Sequence, residues 1–374
     1  MSITIKEVSD PRSLRKFIDF PYQLYKHNPY WVPSLRSDEL NTLRKDKNPA
    51  FAFCQAKYWL AYKDGKLVGR VAGIINPRYQ ERWGNNYARF GWIDFVDDAQ
   101  VSRALLHTVE EWAKAQGMQA VHGPLGFTDL DPEAMLVEGF EEMGTLAAIY
   151  NYPYYATHME GAGYRKDTDW VEFEIKVPEN GVEKISKLAK VVEERYHLHL
   201  LIAKNKKELL RYAHPIFDLL EEAYQHLYGV TPLNQGQVDA YINQYFGFIA
   251  EEFVPIVLDE KGRMVAFGIA MPSLSRALQK SKGRILPVGF IYLLRALHKN
   301  DKGDLYLIAI RKDFQGKGVN AMLMAHLLDV FARMGISSVE SNPELEDNLA
   351  VQVQWKYFET RQHKRRRVYI KHLK

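Results

Sequence analysis

The stretch LYLIAIRKDFQGKGVNAMLMAHLLDVFARMGISSVE, residues 305–340, constrains the fold more than any other part of the chain. A β-rich apolar run meets a polar bend with two glycines, a helix with apolar periodicity follows, and Gly335 closes it before a second β-rich run. Free backbone amides at such a bend point the same way as the positive end of the helix dipole, which suits a phosphate. A P-loop needs a hydroxyl after its lysine, and Lys317 is followed by Gly318 and Val319. A dinucleotide fingerprint fits by spacing, with Gly316, Gly318 and Ala321 and with Glu340 near the place of a ribose-binding acid. Two features oppose it. The polar residues 311–315 separate the strand from the first glycine, and only 34 residues remain after Glu340.

The surrounding chain shows the same element order twice. In the first half a helix over about Pro11 to Lys26 precedes a hairpin that turns at Asp64-Gly65, then the strand ARFGWIDFV, a helix from Ala99 to Ala115 and the strand MQAVHGPLGF. In the second half a helix around Leu209 to Tyr228 precedes strands turning at Lys261-Gly262. A Lys- and Arg-rich insertion follows, then the strand, bend, helix and strand of the opening stretch. The chain has 374 residues, which suits two domains, and the expected division is 1–180 and 181–374, joined by a linking helix. Hydrophobic residues make up 47%, enough for two cores. A single cysteine, Cys54, excludes an internal disulfide or a cysteine-rich zinc site and fits a reducing, cytoplasmic setting. No window reaches the roughly 20 apolar residues of a membrane span. A net charge of +4 is too dilute to argue for nucleic acid.

The segment IRKDFQGKGVN resembles the pyrophosphate loop of the GCN5-related N-acetyltransferase (GNAT) superfamily, whose pattern is [QR]-x-x-G-x-[GA]. Gln315, Gly318 and Asn320 take the three defined positions, Asn320 replacing a small residue. The resemblance implies an α/β fold with a mixed sheet, built as two acyl-CoA N-acyltransferase-like domains in tandem. It implies that Ile308 and Ile310 hydrogen-bond the pantetheine arm of acetyl-CoA, or another acyl-CoA. The amides of Gln315, Gly316, Lys317, Gly318, Val319 and Asn320 would hold the pyrophosphate. NPELEDNLAVQVQWKYFE is similar to the superfamily's later helix. Asn348 matches the Asn that contacts pantetheine, and Trp355 stands where a Tyr is expected to protonate the thiolate, with Tyr357 nearby. The segment from Gly123 to Lys166 is similar to bacterial tandem members of the superfamily.

The implied reaction is transfer of an acyl group, acetyl in the first instance, to a primary amine of a small molecule or peptide. Tandem members also take long acyl chains. Glu340 is the candidate base and Tyr357 the candidate acid, while Tyr306 is expected to line the acceptor pocket. Tyr150, Asn151 and Tyr154, from a polar-aromatic cluster, are candidates for substrate contact, or else a packed interdomain connection. In the first half the equivalent bend is VDDAQVS. Asp97 and Asp98 would repel phosphate and make sense as helix caps, so the first domain is expected to be degenerate. RQHKRRR, residues 361–367, could contact the adenosine phosphate of CoA or a nucleic acid, but its default reading is a solvated hairpin edge. His197 and His199 read as structural, and no metal is expected. The rival to an enzyme is a CoA- or metabolite-binding protein that has lost its chemistry. Oligomeric state is not legible.

Overall fold

The computed structural model describes residues 2–178 and 183–374; the expected division at 180/181 lies outside them. The first half runs β1 (Ile3–Glu7), α1 (Pro11–Leu24), α2 (Arg36–Leu43), β2 (Gln55–Lys63), β3 (Lys66–Ile75), α3 (Pro77–Trp83), β4 (Tyr87–Phe95) and α4 (Ala99–Ala115). It continues with β5 (Ala120–Gly123), β6 (Met135–Glu138), α5 (Tyr154–Gly161) and β7 (Arg165–Lys176). The second half opens with α6 (Glu183–Tyr196), β8 (His199–Leu201), α7 (Lys206–Arg211), α8 (Ala213–Tyr224), α9 (Gln235–Tyr245), β9 (Ile256–Leu258) and β10 (Met264–Pro272). After α10 (Ser275–Ser281) and α11 (Gly289–His298) come β11 (Lys302–Ile310), α12 (Asn320–Arg333), β12 (Ser338–Glu340), β13 (Glu344–Leu345), α13 (Leu349–Gln352) and β14 (Thr360–His372).

Local chemistry explains the boundaries. Asp64 and Gly65 both adopt positive φ, +50° and +76°, as a tight hairpin with right-twisted strands requires. Helix α4 begins where Asp98 accepts the Gln100 amide at 2.9 Å, and Lys63 neutralises the same carboxylate. Its inward residues Val101, Leu105 and Val109 are fully buried against Val71, Phe90 and Phe95. On the opposite face of that sheet, Phe17 and Ile18 of α1 pack on Tyr58, Leu60 and Ile74. In the second half α8 buries Ile216 and Leu220 on one face, while Met322 and Leu323 of α12 pack with Val192 of α6 on the other. Each such aliphatic or aromatic side chain contributes roughly 1.5–3 kcal/mol of burial.

All the strands join one mixed sheet in the order β1-β2-β3-β4-β5-β14-β7-β12-β11-β10-β9-β8, with β6 on β14 and β13 on β7. The halves exchange their last strands. β7 runs antiparallel to β12, and β14, the end of the chain, runs antiparallel to β5. RQHKRRR is therefore not a solvated edge: it lies in β14, at the centre of the sheet. Lys364 and Arg366 are 1% exposed. The physical reason is the charge pattern of β7, whose Asp169, Glu172 and Glu174 lie across from Arg367, Lys364 and Arg361 in register. Opposite charges facing across strands satisfy each other where water is excluded. Burying such pairs recovers little net stability, so their main effect is to fix the register.

Candidate functional site

Strands β11 and β12 run parallel for only three positions, Lys302↔Ser338, Gly303↔Val339 and Asp304↔Glu340. Beyond Asp304, β11 continues to Ile310 alongside β10 alone, so its other edge opens into a gap. Two side chains already reach that edge. Tyr224 donates its hydroxyl to the Ile308 carbonyl at 2.9 Å, and Gln315 donates its amide to the Ile310 carbonyl at 3.1 Å. A carbonyl has a second lone pair, so both groups keep the capacity to accept another donor.

The bend that follows has the form of an anion cradle. Gly316 and Gly318 adopt φ of +73° and +79°, the left-handed region that only glycine enters without strain. Among the described residues the amides of Gly316, Gly318, Val319 and Asn320 make no backbone hydrogen bond outside α12, and α12 starts at Asn320. Their N–H groups and the helix dipole together favour a negative charge. Lys317 adds a cation, its ammonium 4.9 Å from the Phe314 ring centre and 5.2 Å from that of Tyr196. Asn320 turns its side-chain amide toward Gln354 Oε1, 3.3 Å away.

Between the two halves lies a cavity of about 390 Å³. Its apolar walls include Ile216 and Leu220 of α8, Ile269 and Met271 of β10, and Leu305 and Leu307 of β11. The first half contributes Leu35, Trp92 and Leu130. Several carboxyl groups face this apolar space, and burial pushes each toward its neutral form. Glu344 is raised to about 8 by burial, against the opposing hydrogen bonds of Trp355 and Ser341. Asp131 is raised to about 6 by burial, although it accepts the amides of Phe127 and Thr128. Burial also raises Asp129, and it raises Glu133 strongly with the help of those two neighbouring carboxylates. Asp304, at the point where the strands part, rises to about 6 by burial and accepts the Tyr306 hydroxyl at 3.3 Å.

The residues singled out from the sequence fall into three groups. Tyr306, Ile308 and Asn348 line the cavity, while Ile310 and residues 315–320 lead from the gap into the bend. Glu340 does not line the cavity. Its carboxylate is bonded by Lys364, and burial beside Glu172 and Asp304 holds its pKa well above the usual range. Tyr357 is 76% exposed and outside the cavity, because the chain between α13 and β14 turns Trp355 inward instead.

Tyr150 and Asn151 line a separate pocket of about 90 Å³ in the first half. Asn151 spends its amide on both backbone groups of Leu136, and Tyr154 donates to the Phe95 carbonyl at 2.6 Å, so both are committed to packing. Cys54 is buried, its thiol pushed up to about 12 by desolvation. Glu172, Glu340 and His363 stand at metal-ligand spacing, but the Lys364 ammonium bonds Glu340 and lies 3.6 Å from Glu172, so a cation is already there. Sequence reasoning missed Asp129, Asp131, Glu133 and Glu344. The available signal was acidic residues set inside the otherwise apolar runs GFTDLDPEAMLV and NPELE.

Each half carries one parallel strand pair, β4 with β5 and β11 with β12, and the second pair parts beside the glycine bend, a two-lobed mixed sheet of the tandem acyltransferase-like kind. Residues 214–353, in the second half of the chain, match the Acetyltransferase (GNAT) family. The chain is 26% identical to Protein YghO of Escherichia coli (strain K12) over 99% of its length and 95% of the relative's. It is 24% identical to the Bacterial ceramide synthase of Caulobacter vibrioides, covering 93% of this chain and 92% of that one. A tandem GNAT protein from the clavulanic acid biosynthesis pathway superposes over 100% of this chain and 99% of its own, with a TM-score of 0.55 at 11% identity. A GCN5-related N-acetyltransferase from Sphaerobacter thermophilus gives a TM-score of 0.52 at 12% identity, over 100% and 96% of the two chains. Among the described residues no helix is long and apolar enough to cross a membrane.

Proposed function

We propose that this chain is an acyl-CoA-dependent N-acyltransferase that moves an acyl group to a primary amine. In the reaction the amine nitrogen forms a bond to the thioester carbonyl, the C–S bond breaks, and the amine proton ends on the CoA thiol. Residues 181–374 would hold the donor, with pantetheine along β11 and pyrophosphate on the amides of residues 315–320. Residues 1–180, with Asp97 and Asp98 at the equivalent bend, would shape the acceptor side.

The observation that carries this reading is the gap between β11 and β12, with an anion cradle at one end and a cavity of about 390 Å³ beside it. The sequence points to acetyl. The cavity is of the size that encloses whole drug-like ligands, several hundred Å³, and so favours an acyl chain or acceptor much longer than two carbons. The ceramide synthase among the relatives supports the same extension.

Glu344 is the base in this reading, in place of Glu340. It faces the cavity, and a pKa of about 8 is a good match to an amine that must lose a proton. The Trp355 indole N–H is far too weak an acid to protonate a thiolate, so Glu344 would return the proton it took. This leaves no role for Tyr357.

A non-catalytic binding protein is the second reading. It is favoured by Trp355 in the place of the tyrosine and by the side-chain donors already on the Ile308 and Ile310 carbonyls. Calorimetry with acetyl-CoA and palmitoyl-CoA, followed by thiol release against a panel of short and long-chain amines, separates the two. Turnover with a long-chain acyl-CoA is expected; tight binding without turnover on any amine would overturn the enzyme.

A further inference from the structure

The insertion between β10 and β11 leaves apolar side chains in water with nothing over them. Ile285, Leu286, Val288, Phe290, Ile291, Tyr292 and Leu294 are all exposed, Leu286 at 73%. They are seven of the thirteen exposed large hydrophobic residues among the described part of the chain, and they fall within ten consecutive positions. A surface cluster that dense marks an interaction site rather than scatter. The inward face of α11 accounts for its folding, since Leu293, Ala296 and Leu297 pack on the second-half core. Its outward face, with Leu294 one turn beyond Phe290 and Ile291, is not needed for that.

The charges around the cluster indicate what covers it. Residues 275–302 contain seven Lys and Arg and one Asp, a formal +6, more than the +4 of the entire chain. Arg276 pairs with Asp301, and Lys302 with Glu174. Lys280, Lys282, Arg284, Arg295 and Lys299 are exposed and have no carboxylate partner among the described residues. Unpaired cations ringing an exposed apolar face match a surface that is negative outside and apolar within. A helix of ten residues is about 15 Å long, too short to span a bilayer and well suited to lie in its headgroup region.

We propose that the loop 282–288 and the outward face of α11 dock this protein on the surface of an anionic lipid bilayer. Leu286, Phe290, Ile291 and Leu294 enter the acyl boundary, and the five unpaired cations contact lipid phosphates. The docked face is tied to the cavity wall. The Arg36 amide donates to the Gly283 carbonyl at 2.9 Å, and the Gln279 amide donates to the carbonyls of Pro29 and Trp31. Ser34, Leu35 and Asp38, in that same stretch, line the cavity. Docking thus brings the cavity close to the bilayer, whatever reaction takes place in it.

The test is flotation of the purified full chain with vesicles of phosphatidylcholine alone and of phosphatidylcholine mixed with phosphatidylglycerol, with light scattering in the absence of lipid. Binding to the mixed vesicles is expected, weak binding to the neutral ones, and loss of the difference at high salt. A Leu286→Glu, Ile291→Glu double variant is expected to bind the mixed vesicles roughly ten-fold less or worse. A Lys280→Ser, Lys282→Ser, Arg284→Ser variant is expected to lose the preference for the mixed vesicles. Both variants keep the wild-type Tm, since the altered side chains are exposed. Equal binding to the two vesicle types, or no binding to either, overturns the proposal. So does a wild-type dimer that the Ile291→Glu change converts to monomer, which would assign the face to a second copy. Neither result depends on acyl transfer.

Discussion

Trp355 donates its indole N–H to the Glu344 carboxylate at 2.9 and 3.2 Å, tying the turn before β14 to the cavity wall. The tryptophan stands where the superfamily's tyrosine is expected. Its hydrogen bond goes to a carboxyl that burial has lifted to about 8. The pair thus combines a departure from the family pattern with a titratable group facing the cavity.

Glu344→Gln is expected to lower kcat about 100-fold or more, the usual cost of losing a general base. The carboxyl must be ionised to take a proton, so wild-type kcat/KM rises with pH up to and through about 8 and falls below it. The variant loses that limb. Steady-state rates from pH 6 to 9 check it, and a variant with the wild-type profile would remove Glu344 from the mechanism. Tyr357→Phe, at an exposed side chain, is expected to leave rates within about two-fold, the range of neutral surface changes.

Gly318→Ala places a Cβ at φ +79° and 3.2 Å from Val192 Cγ2. The left-handed conformation alone costs about 1–2 kcal/mol. Gly318→Asp adds a negative charge where the pyrophosphate is proposed to lie. Calorimetric affinity for CoA should fall slightly in the first and collapse in the second. Equal affinity in wild type and Gly318→Asp would mean the bend holds no phosphate.

Replacing Arg366 by Met strands the buried Glu172 carboxylate, which Arg366 and Lys364 hold down to about 2 against burial. A loss of about 3 kcal/mol is expected, and Arg366→Met with Glu172→Met should recover most of it. Chemical denaturation of the four proteins gives the coupling. Additive losses would mean the two side chains do not act as a pair.

His363 is buried with neither ring nitrogen hydrogen-bonded among the described residues, and desolvation with the nearby Lys364 charge lowers its pKa to about 4. The unfolded chain takes up this proton near 6.5 and the folded chain only near 4. Stability therefore falls as pH drops through that window. Glu172 and Glu174, both lowered to about 2, add a loss that begins near 4.5 and continues toward 2. Raised carboxyls such as Glu344, Asp131 and Asp304 act in the opposite sense in both proteins, so the reading is the difference: between pH 7, 5 and 4 the denaturation midpoint of the wild type should fall relative to that of His363→Leu. An equal decline in both would place the acid sensitivity elsewhere.

The sequence by itself determined the local elements and the loop chemistry. Helix α4 occupies Ala99–Ala115 as its periodicity required, both hairpins turn at their Asp-Gly and Lys-Gly pairs, and the bend at 315–320 has the two left-handed glycines its pattern implied. These features depend on residues a few positions apart, so spacing encodes them. Only the tertiary structure decided the exchange of β7 and β14, the burial of Lys364 and Arg366 within RQHKRRR, and the meeting of Glu344 with Asp129, Asp131 and Glu133 around one cavity. Each brings together residues from distant parts of the chain, Arg366 with Glu172 across 194 positions, for example. A run of basic residues looks solvated when its partners are that far away. Acidic residues are spaced through DTDWVEFE, but their pairing with β14 depends on which strands the sheet makes neighbours, and that is settled when both halves fold against each other.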